Sequence, residues 1–339
     1  MRAVLVVVAM AAVHSTAFSQ TSNQELAQLR HDLALNFLEP PPHMALAKYL
    51  RARGDRLQAF YVLESARRNR FPRAQFDAAF ARAFGTPARN DAGLALFNRG
   101  IQLQQAGSLK EAEEAFVKAA ELSPTSVHIQ SWVGRFLHKV RRKDQAALDY
   151  YLNAYLLNPH AYETEFVESR IRSINYEVAS SRYRWLYQTG VPLTQILQDP
   201  NPTVVVAALD ALSRAWSPES LEPVLKSLEH EDEYVRWQAM ELISKNVDRA
   251  FDPKLRQLLK SDDLRVRGMA AYMAVRLWKQ ESFPVLRQML LEPAQLLRFD
   301  AISALAMDGG AEGRRILFDY RGRERHPVLL DLIDKARQR

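Results

Sequence analysis

The sequence predicts an all-α protein built as a solenoid of stacked helical hairpins. One observation behind this is a ladder of apolar residues that recurs every 31 residues in the C-terminal half, at Val204, Val235, Val266, Leu297 and Val328. Composition agrees, because 339 residues with only 12 glycines, 16 prolines and 47% apolar side chains favour helices over turn-rich sheet proteins. A fixed period of this size indicates stacked hairpins, since one hairpin cannot bury its apolar face alone.

The first residues have the pattern of a secretory signal peptide. Arg2 precedes an apolar stretch that ends near Val13, and small residues stand at Ala17 and Ser19. The apolar core is too short to span a bilayer, and the small residues suit cleavage after residue 19. We therefore expect an exported protein, periplasmic or secreted, with no transmembrane segment in the mature chain.

Residues 93–126 carry small side chains where the two helices of a hairpin would cross. The characteristic positions are Gly100, Gly107, Ala112, Phe116, Ala119 and Pro124. The next unit repeats the pattern with Gly134, Ala147, Tyr151, Ala154 and Pro159, and a weaker unit precedes both over 40–73. This pattern resembles the tetratricopeptide repeat, whose unit of about 34 residues uses small residues at close helix crossings. The resemblance implies an array of such repeats before residue 160.

In the C-terminal ladder, an acidic turn residue is followed by Val-Arg and then by Ala. The two clear cases are Asp232 with Val235, Arg236 and Ala239, and Asp262 with Val266, Arg267 and Ala270. This pattern resembles the short form of the HEAT repeat. The family's arginine is generally structural, so the resemblance implies that Arg236, Arg267 and Arg298 tie a helix start to a neighbouring turn.

A helical joint is predicted between the two arrays. Its apolar residues available for burial are Phe166, Ile171, Ile174, Val178, Trp185 and Leu186. The predicted domain boundaries are 1–19 for the signal peptide, 20–39 for an N-terminal helix, 40–160 for tetratricopeptide-like repeats, 161–191 for the joint and 192–339 for HEAT repeats.

Residue chemistry argues for binding rather than catalysis. The chain has no cysteine, which excludes disulfides, thiolate catalysis and Cys-ligated zinc. No histidine pair has a metal-ligand spacing, and no catalytic motif is present. We therefore expect a non-enzymatic scaffold or adaptor with no catalytic, cofactor-binding or metal site. One alternative is a lyase or isomerase of the bilin-lyase type, because short HEAT repeats occur in those enzymes.

The positive charge lies in the first half of the chain. Net charge is +7, yet residues 191–339 hold 22 Lys+Arg and 22 Asp+Glu, and ten Lys+Arg fall between residues 48 and 89. Export makes nucleic acid an unsuitable partner for such a surface. The remaining anionic candidates are acidic protein segments, glycans and lipid headgroups. We expect that such a protein could serve in the assembly of the cell envelope or of polysaccharide-export machinery.

The first helices of tetratricopeptide repeats usually line the groove that holds a partner. By resemblance, the partner-binding residues here are Lys48, Arg51, Asn98, Ile101, Gln104, Arg135, His138 and Lys139. Arg135 and Lys139 share one helix face, so both can reach one acidic ligand. The carboxylate clamp of chaperone-binding members is not reproduced, since Met44, Ile101 and Ser131 occupy three of its positions. The predicted partner is an acidic or extended segment of an envelope protein.

Overall fold

The computed structural model describes residues 24–68, 71–85 and 92–337, which are helical apart from turns and short loops and contain no β-strand. Consecutive helices pack against each other as neighbours, so the predicted fold class, an all-α solenoid of helical hairpins, is confirmed. The signal peptide predicted over 1–19 lies outside the described residues. Within those residues, no helix has the length and apolar character needed to cross a bilayer.

The helices are numbered in chain order. They are α1 (24–35), α2 (Pro40–Ala52), α3 (Arg56–Arg68), α4 (Arg73–Phe84), α5 (Leu94–Gln105), α6 (Leu109–Leu122), α7 (Val127–Lys139), α8 (Asp144–Leu157), α9 (Tyr162–Gln188), α10 (Leu193–Ile196), α11 (Pro202–Arg214), α12 (Leu221–Lys226), α13 (Glu233–Asn246), α14 (Asp252–Leu258), α15 (Leu264–Trp278), α16 (Phe283–Met289), α17 (Gln295–Asp308), α18 (Gly310–Arg321) and α19 (Pro327–Arg337).

The chain divides into two compact units that do not follow the predicted change of repeat type. The middle unit is Leu50–Phe251, and the end unit combines the described residues of Met1–Tyr49 with those of Asp252–Arg339. Compactness does not test where one repeat type gives way to the other, so the predicted domain boundaries stay a prediction. Each unit is described separately below.

In the middle unit, two consecutive hairpins are held together by close helix crossings at glycine. A Cβ atom at Gly100 of α5 would lie 2.6 Å from the Phe116 ring of α6, and one at Gly134 of α7 would lie 2.9 Å from the Tyr151 ring of α8. Both aromatic rings are buried, so neither can easily move aside. Small residues are therefore required at the crossing positions that the sequence pattern singled out.

Helix α3 does not stack on the next hairpin in chain order. Its main packing partner is α8, where the rings of Phe60 and Tyr155 lie 4.7 Å apart. Buried Glu64 of α3 forms an ion pair with Arg172 of α9. The sequence predicted a weaker repeat over 40–73 that precedes the hairpin over 93–126 along the chain. The structure instead joins α3 to helices about a hundred residues further along the chain.

Most rungs of the 31-residue ladder are buried as predicted. Val204, Val235 and Leu297 are fully buried, Val266 nearly so, and the alanines four residues after them, Ala208, Ala239, Ala270 and Ala301, are also fully buried. The last rung departs from the pattern, because Val328 is only half-buried and Leu329 takes the buried position. A departure at this position suits a terminal repeat, which has a neighbour on one side only.

The ladder arginines bind the turns that precede their own helices. Arg236 Nη1 donates to the carbonyls of His230 and Glu231, both at 2.8 Å. Arg267 Nε donates to the carbonyl of Ser261 at 3.0 Å, and Arg298 Nη1 donates to those of Glu292 at 2.9 Å and Pro293 at 2.7 Å. These bonds confirm the structural role that the HEAT resemblance implied.

The acidic turn residues act as helix N-caps, with one correction. Asp232 accepts a hydrogen bond from the Val235 amide and starts α13. In the following unit, the cap of α15 is Asp263, which accepts from the Arg265 amide, while the predicted turn acid Asp262 is exposed. The N-cap is the residue directly before the first helical residue, and because α15 begins at Leu264 this residue is Asp263.

In the end unit, the N-terminal segment packs against the last repeats. The rings of Phe37 and Phe299 lie 5.6 Å apart, and the Leu38 amide donates to Gln295 Oε1 at 2.8 Å. Buried His43 at the start of α2 makes a 2.8 Å hydrogen bond from Nε2 to the Phe37 carbonyl. Desolvation lowers the pKa of His43 from 6.5 to about 4, which means that this histidine is neutral in the folded protein.

Replacing Ala270 with arginine should test the buried ladder. Ala270 is 0% exposed, so a guanidinium there would overpack the helix crossing and bury an unpaired charge. We expect a loss of about 3–5 kcal/mol in the free energy of unfolding, measured by urea denaturation. Ala311→Arg, at an exposed alanine of the same unit, is the control and should change stability by less than about 0.5 kcal/mol. Equal midpoints for the two variants would contradict this packing.

His43 should make the end unit less stable in mild acid. The unfolded chain takes up a proton near pH 6.5 and the folded chain only near pH 4, so stability falls as pH decreases through this window. We expect a loss of about 2 kcal/mol between pH 7 and pH 5 that His43→Gln abolishes. His31→Gln, at an exposed histidine, should retain the loss. Identical pH slopes for wild type and His43→Gln in urea denaturation would show that His43 is not buried in its neutral form.

Candidate functional site

Helix α7 carries an exposed stripe of basic and aromatic side chains. Ser126 caps the helix by accepting a hydrogen bond from the Ile129 amide, and this start sets the register of the following turns. Val133 and Phe136 face the core, whereas Arg135 and Lys139 are exposed on the opposite side. Both cations therefore lie on the exposed side of α7, one helical turn apart.

Aromatic rings accompany the cations on this surface. The guanidinium of Arg135 lies 5.9 Å from the ring of half-buried Trp132 on the same helix. On α9, which packs against α7, Arg170 lies 4.7 Å from the ring of Phe166, and Phe166 is 49% exposed. We call these five residues, Trp132, Arg135, Lys139, Phe166 and Arg170, the basic-aromatic face.

The cations of this face are available for a ligand. Within the described residues, Arg135, Lys139 and Arg170 form no ion pair. Burial raises the pKa of Tyr151 to about 12, and the positive charges of Arg170 and Arg135 partly offset this effect. Three unneutralised cations around two aromatic rings suit an anionic partner segment with apolar side chains.

Helix α5 extends this surface. The Phe97 ring lies 5.7 Å from Trp132 and connects α5 to α7, and Asn98 next to it is exposed. Gln104, the penultimate residue of the helix, is half-buried, and its side-chain oxygen has no hydrogen-bond partner among the described residues. Both predicted amide side chains therefore lie on the helix that contacts the basic-aromatic face.

His138 lies beneath the face instead of on it. It is 9% exposed, and its ring meets that of Tyr151 edge-on at 6.4 Å. Desolvation, and to a smaller extent the charge of Lys139, lower the pKa of His138, so burial favours its neutral form. The partner contact predicted for His138 would require this side chain to leave the core.

Of the three remaining predicted residues, Ile101 is half-buried on α5, and Lys48 and Arg51 lie elsewhere. Lys48 is exposed on α2 within the end unit. Arg51, in the middle unit, lines a polar cleft together with residues of α3, α6, α7 and α8, and none of Arg135, His138 and Lys139 takes part in that lining. Asn98, Arg135 and Lys139 are thus exposed, whereas Arg51 lines a separate cleft.

Sequence reasoning missed three residues of the basic-aromatic face: Trp132, Phe166 and Arg170. The joint over 161–191 was expected to bury Phe166 and Trp185, but these are 49% and 62% exposed, while Ile171 and Ile174 are fully buried as expected. A usable signal was present, because Trp132 and Phe166 are separated by 34 residues, the period of the preceding hairpins.

Within the described ranges, no cluster of three or more His, Asp or Glu side chains could hold a metal ion. The described helices form a repeat protein of stacked helical hairpins with an exposed basic and aromatic surface. A family model of HEAT repeats matches residues 191–250, which include α10 to α13. A search of curated proteins finds no match to the chain. The similarity to HEAT repeats thus covers the first units of the ladder.

Proposed function

We propose that this protein is a non-enzymatic scaffold that binds an acidic, extended segment of a protein partner on the basic-aromatic face. The observation that carries the proposal is two contacts between an arginine and an aromatic ring on neighbouring helices, exposed Arg135 with half-buried Trp132 and half-buried Arg170 with exposed Phe166. Stacked-hairpin proteins use extended surfaces of this kind for binding, without needing an enclosed pocket.

We further propose that the hairpins of the middle unit up to residue 160 are tetratricopeptide repeats. The glycine crossings at Phe116 and Tyr151 support this assignment, because the family uses small residues at the same places. On this view, α9 supplies the first helix of a further repeat, which explains why Phe166 follows Trp132 at the interval of one repeat.

The proposed setting is the cell envelope. The sequence of residues 1–19 supports export, with the mature protein periplasmic or secreted. An acidic segment of an envelope protein, including one from polysaccharide-export machinery, has the charge that the basic-aromatic face would attract. Glycan or lipid headgroups share that charge but would make little use of the exposed rings as an extended apolar surface.

Charge reversal of the face should weaken partner binding. Arg135→Glu with Lys139→Glu places two repelling charges against an acidic ligand, which should cost about 2 kcal/mol, or roughly thirtyfold in affinity. The measurement is fluorescence anisotropy with short acidic peptides that each contain an aromatic residue. Binding by wild type should also weaken as salt rises, since exposed charges are screened over about 10 Å at 0.1 M.

The matched control reverses two exposed lysines of α6, Lys110→Glu with Lys118→Glu, which changes net charge by the same amount. It should leave peptide affinity within about twofold of wild type. If both double variants lose affinity equally, the attraction is a general effect of net charge and the proposed face is wrong. A chromophore on the purified protein would instead favour the lyase alternative.

A further inference from the structure

A second surface of the middle unit has the features of a small-molecule site. The cleft encloses about 520 Å³ and is lined by residues of α2, α3, α6, α7 and α8. It forms where α3 packs against α8, which are far apart in sequence. This volume falls in the range of about 300–1,000 Å³ that is usual for ligand sites.

The polar side chains of the cleft hold each other in place before any ligand arrives. Arg56 donates to Asn153 Oδ1 at 2.9 Å and to Asp149 Oδ1 at 3.0 Å. Asn153 Nδ2 donates in turn to Gln130 Oε1 at 3.5 Å, and Gln130 Nε2 donates to the Ala120 carbonyl at 3.1 Å. This chain leaves further donor and acceptor positions on planar side chains that are already oriented, which lowers the entropy cost of binding.

Arg51 is the cation of the cleft without an acidic partner. Arg56 is paired with Asp149, but Arg51 forms no ion pair with any described residue. Its Nη1 donates to the Leu156 carbonyl at 3.0 Å, and its guanidinium lies 5.8 Å from the ring of Phe84. Desolvation by the surrounding protein lowers the pKa of Arg51, and an anionic ligand would compensate for that lost hydration.

The other groups of the cleft limit which anions it can hold. Glu121 and Asp149 also line it, so a ligand with several dense negative charges, such as a polyphosphate, would be repelled. Carboxylates and amides are good partners for hydroxyl groups, since they offer acceptors and donors side by side. The half-buried side chain of Tyr150 and the apolar Leu156 add non-polar surface to the lining. A ligand with one negative charge, several hydroxyls and a partly apolar face matches all of these groups.

We propose that this cleft binds a short oligosaccharide that carries one uronic-acid residue, with the carboxylate of that residue on Arg51 and ligand hydroxyls on Asn153, Gln130 and Asp149. The site is independent of the basic-aromatic face, because Arg135, Lys139 and Arg170 do not line the cleft. One protein would thus carry a glycan site and a separate protein-binding surface, and either can fail without the other.

Calorimetric titration of the full chain with trisaccharides tests the proposal. The probes are trisaccharides that contain a single galacturonic, glucuronic or mannuronic acid residue, each compared with the neutral trisaccharide in which that residue is the corresponding hexose. At least one acidic trimer should bind about tenfold more tightly than its neutral counterpart. Arg51→Gln should remove this preference. Asn153→Ala should weaken the acidic and neutral trimers alike, because it removes hydroxyl contacts and the bonds to Arg56 and Gln130 but leaves Arg51 in place.

The control variant is Arg82→Gln, which removes an exposed arginine of α4 that does not line the cleft and should leave binding unchanged. Circular dichroism of each variant establishes that it is folded. If no acidic trimer binds at about 10 mM, or if Arg51→Gln binds as wild type does, the proposal is overturned. Binding of triglutamate with the same dependence on Arg51 would also overturn it, because the cleft would then recognise a peptide. None of these results depends on the peptide measurements at the basic-aromatic face.

Discussion

The structure depends on how closely its paired helices can cross. An amphipathic hairpin is stable only when its apolar stripe is covered, and the stripe is covered completely only if the backbones approach within van der Waals contact. Gly100 against Phe116 and Gly134 against Tyr151 show this for the first hairpins, and Ala239 and Ala270 occupy buried positions in the ladder. A large aromatic on one helix is accommodated because its partner has almost no side chain there. The exposed faces of the same helices are then free to vary, and binding residues can collect on them.

Arginine side chains have different partners in the 31-residue ladder and in the first hairpins. In the ladder, each arginine saturates carbonyls of the turn before its helix, which leaves that guanidinium little capacity for a ligand. Arg298 goes further, because its Nε also donates to buried Glu324 at 3.1 Å, and Tyr320 donates to the same carboxylate at 2.7 Å. In the first hairpins, by contrast, Arg135 lies over an aromatic ring. A charge of this kind remains accessible to solvent.

Packing out of chain order gives the middle unit its second surface. A strictly sequential stack offers grooves between successive helices, and these are open along their length. Because α3 packs on α8, side chains of distant parts of the chain, Arg51 and Arg56 on one side and Gln130 and Asn153 on the other, line a single cleft. Four helices, α2, α3, α7 and α8, thereby supply these polar groups to one cleft. Ligand sites commonly form where separately built elements meet, for the same geometric reason.

The sequence by itself determined the fold class and the hairpin crossings, because both follow from local spacing along a helix. The structural role of the ladder arginines was implied by the resemblance to HEAT repeats. The sequence also placed Arg135 and Lys139 on one exposed face, which needs only the helical period. Tertiary structure decided the rest. That α3 joins α8, that Arg51 lies in a cleft, that His138 is buried and that Phe166 is exposed all depend on which helices become neighbours. Helices that pack together but are far apart along the chain leave no local periodic pattern in the sequence. Their contacts are set by packing and not by a fixed separation between residues.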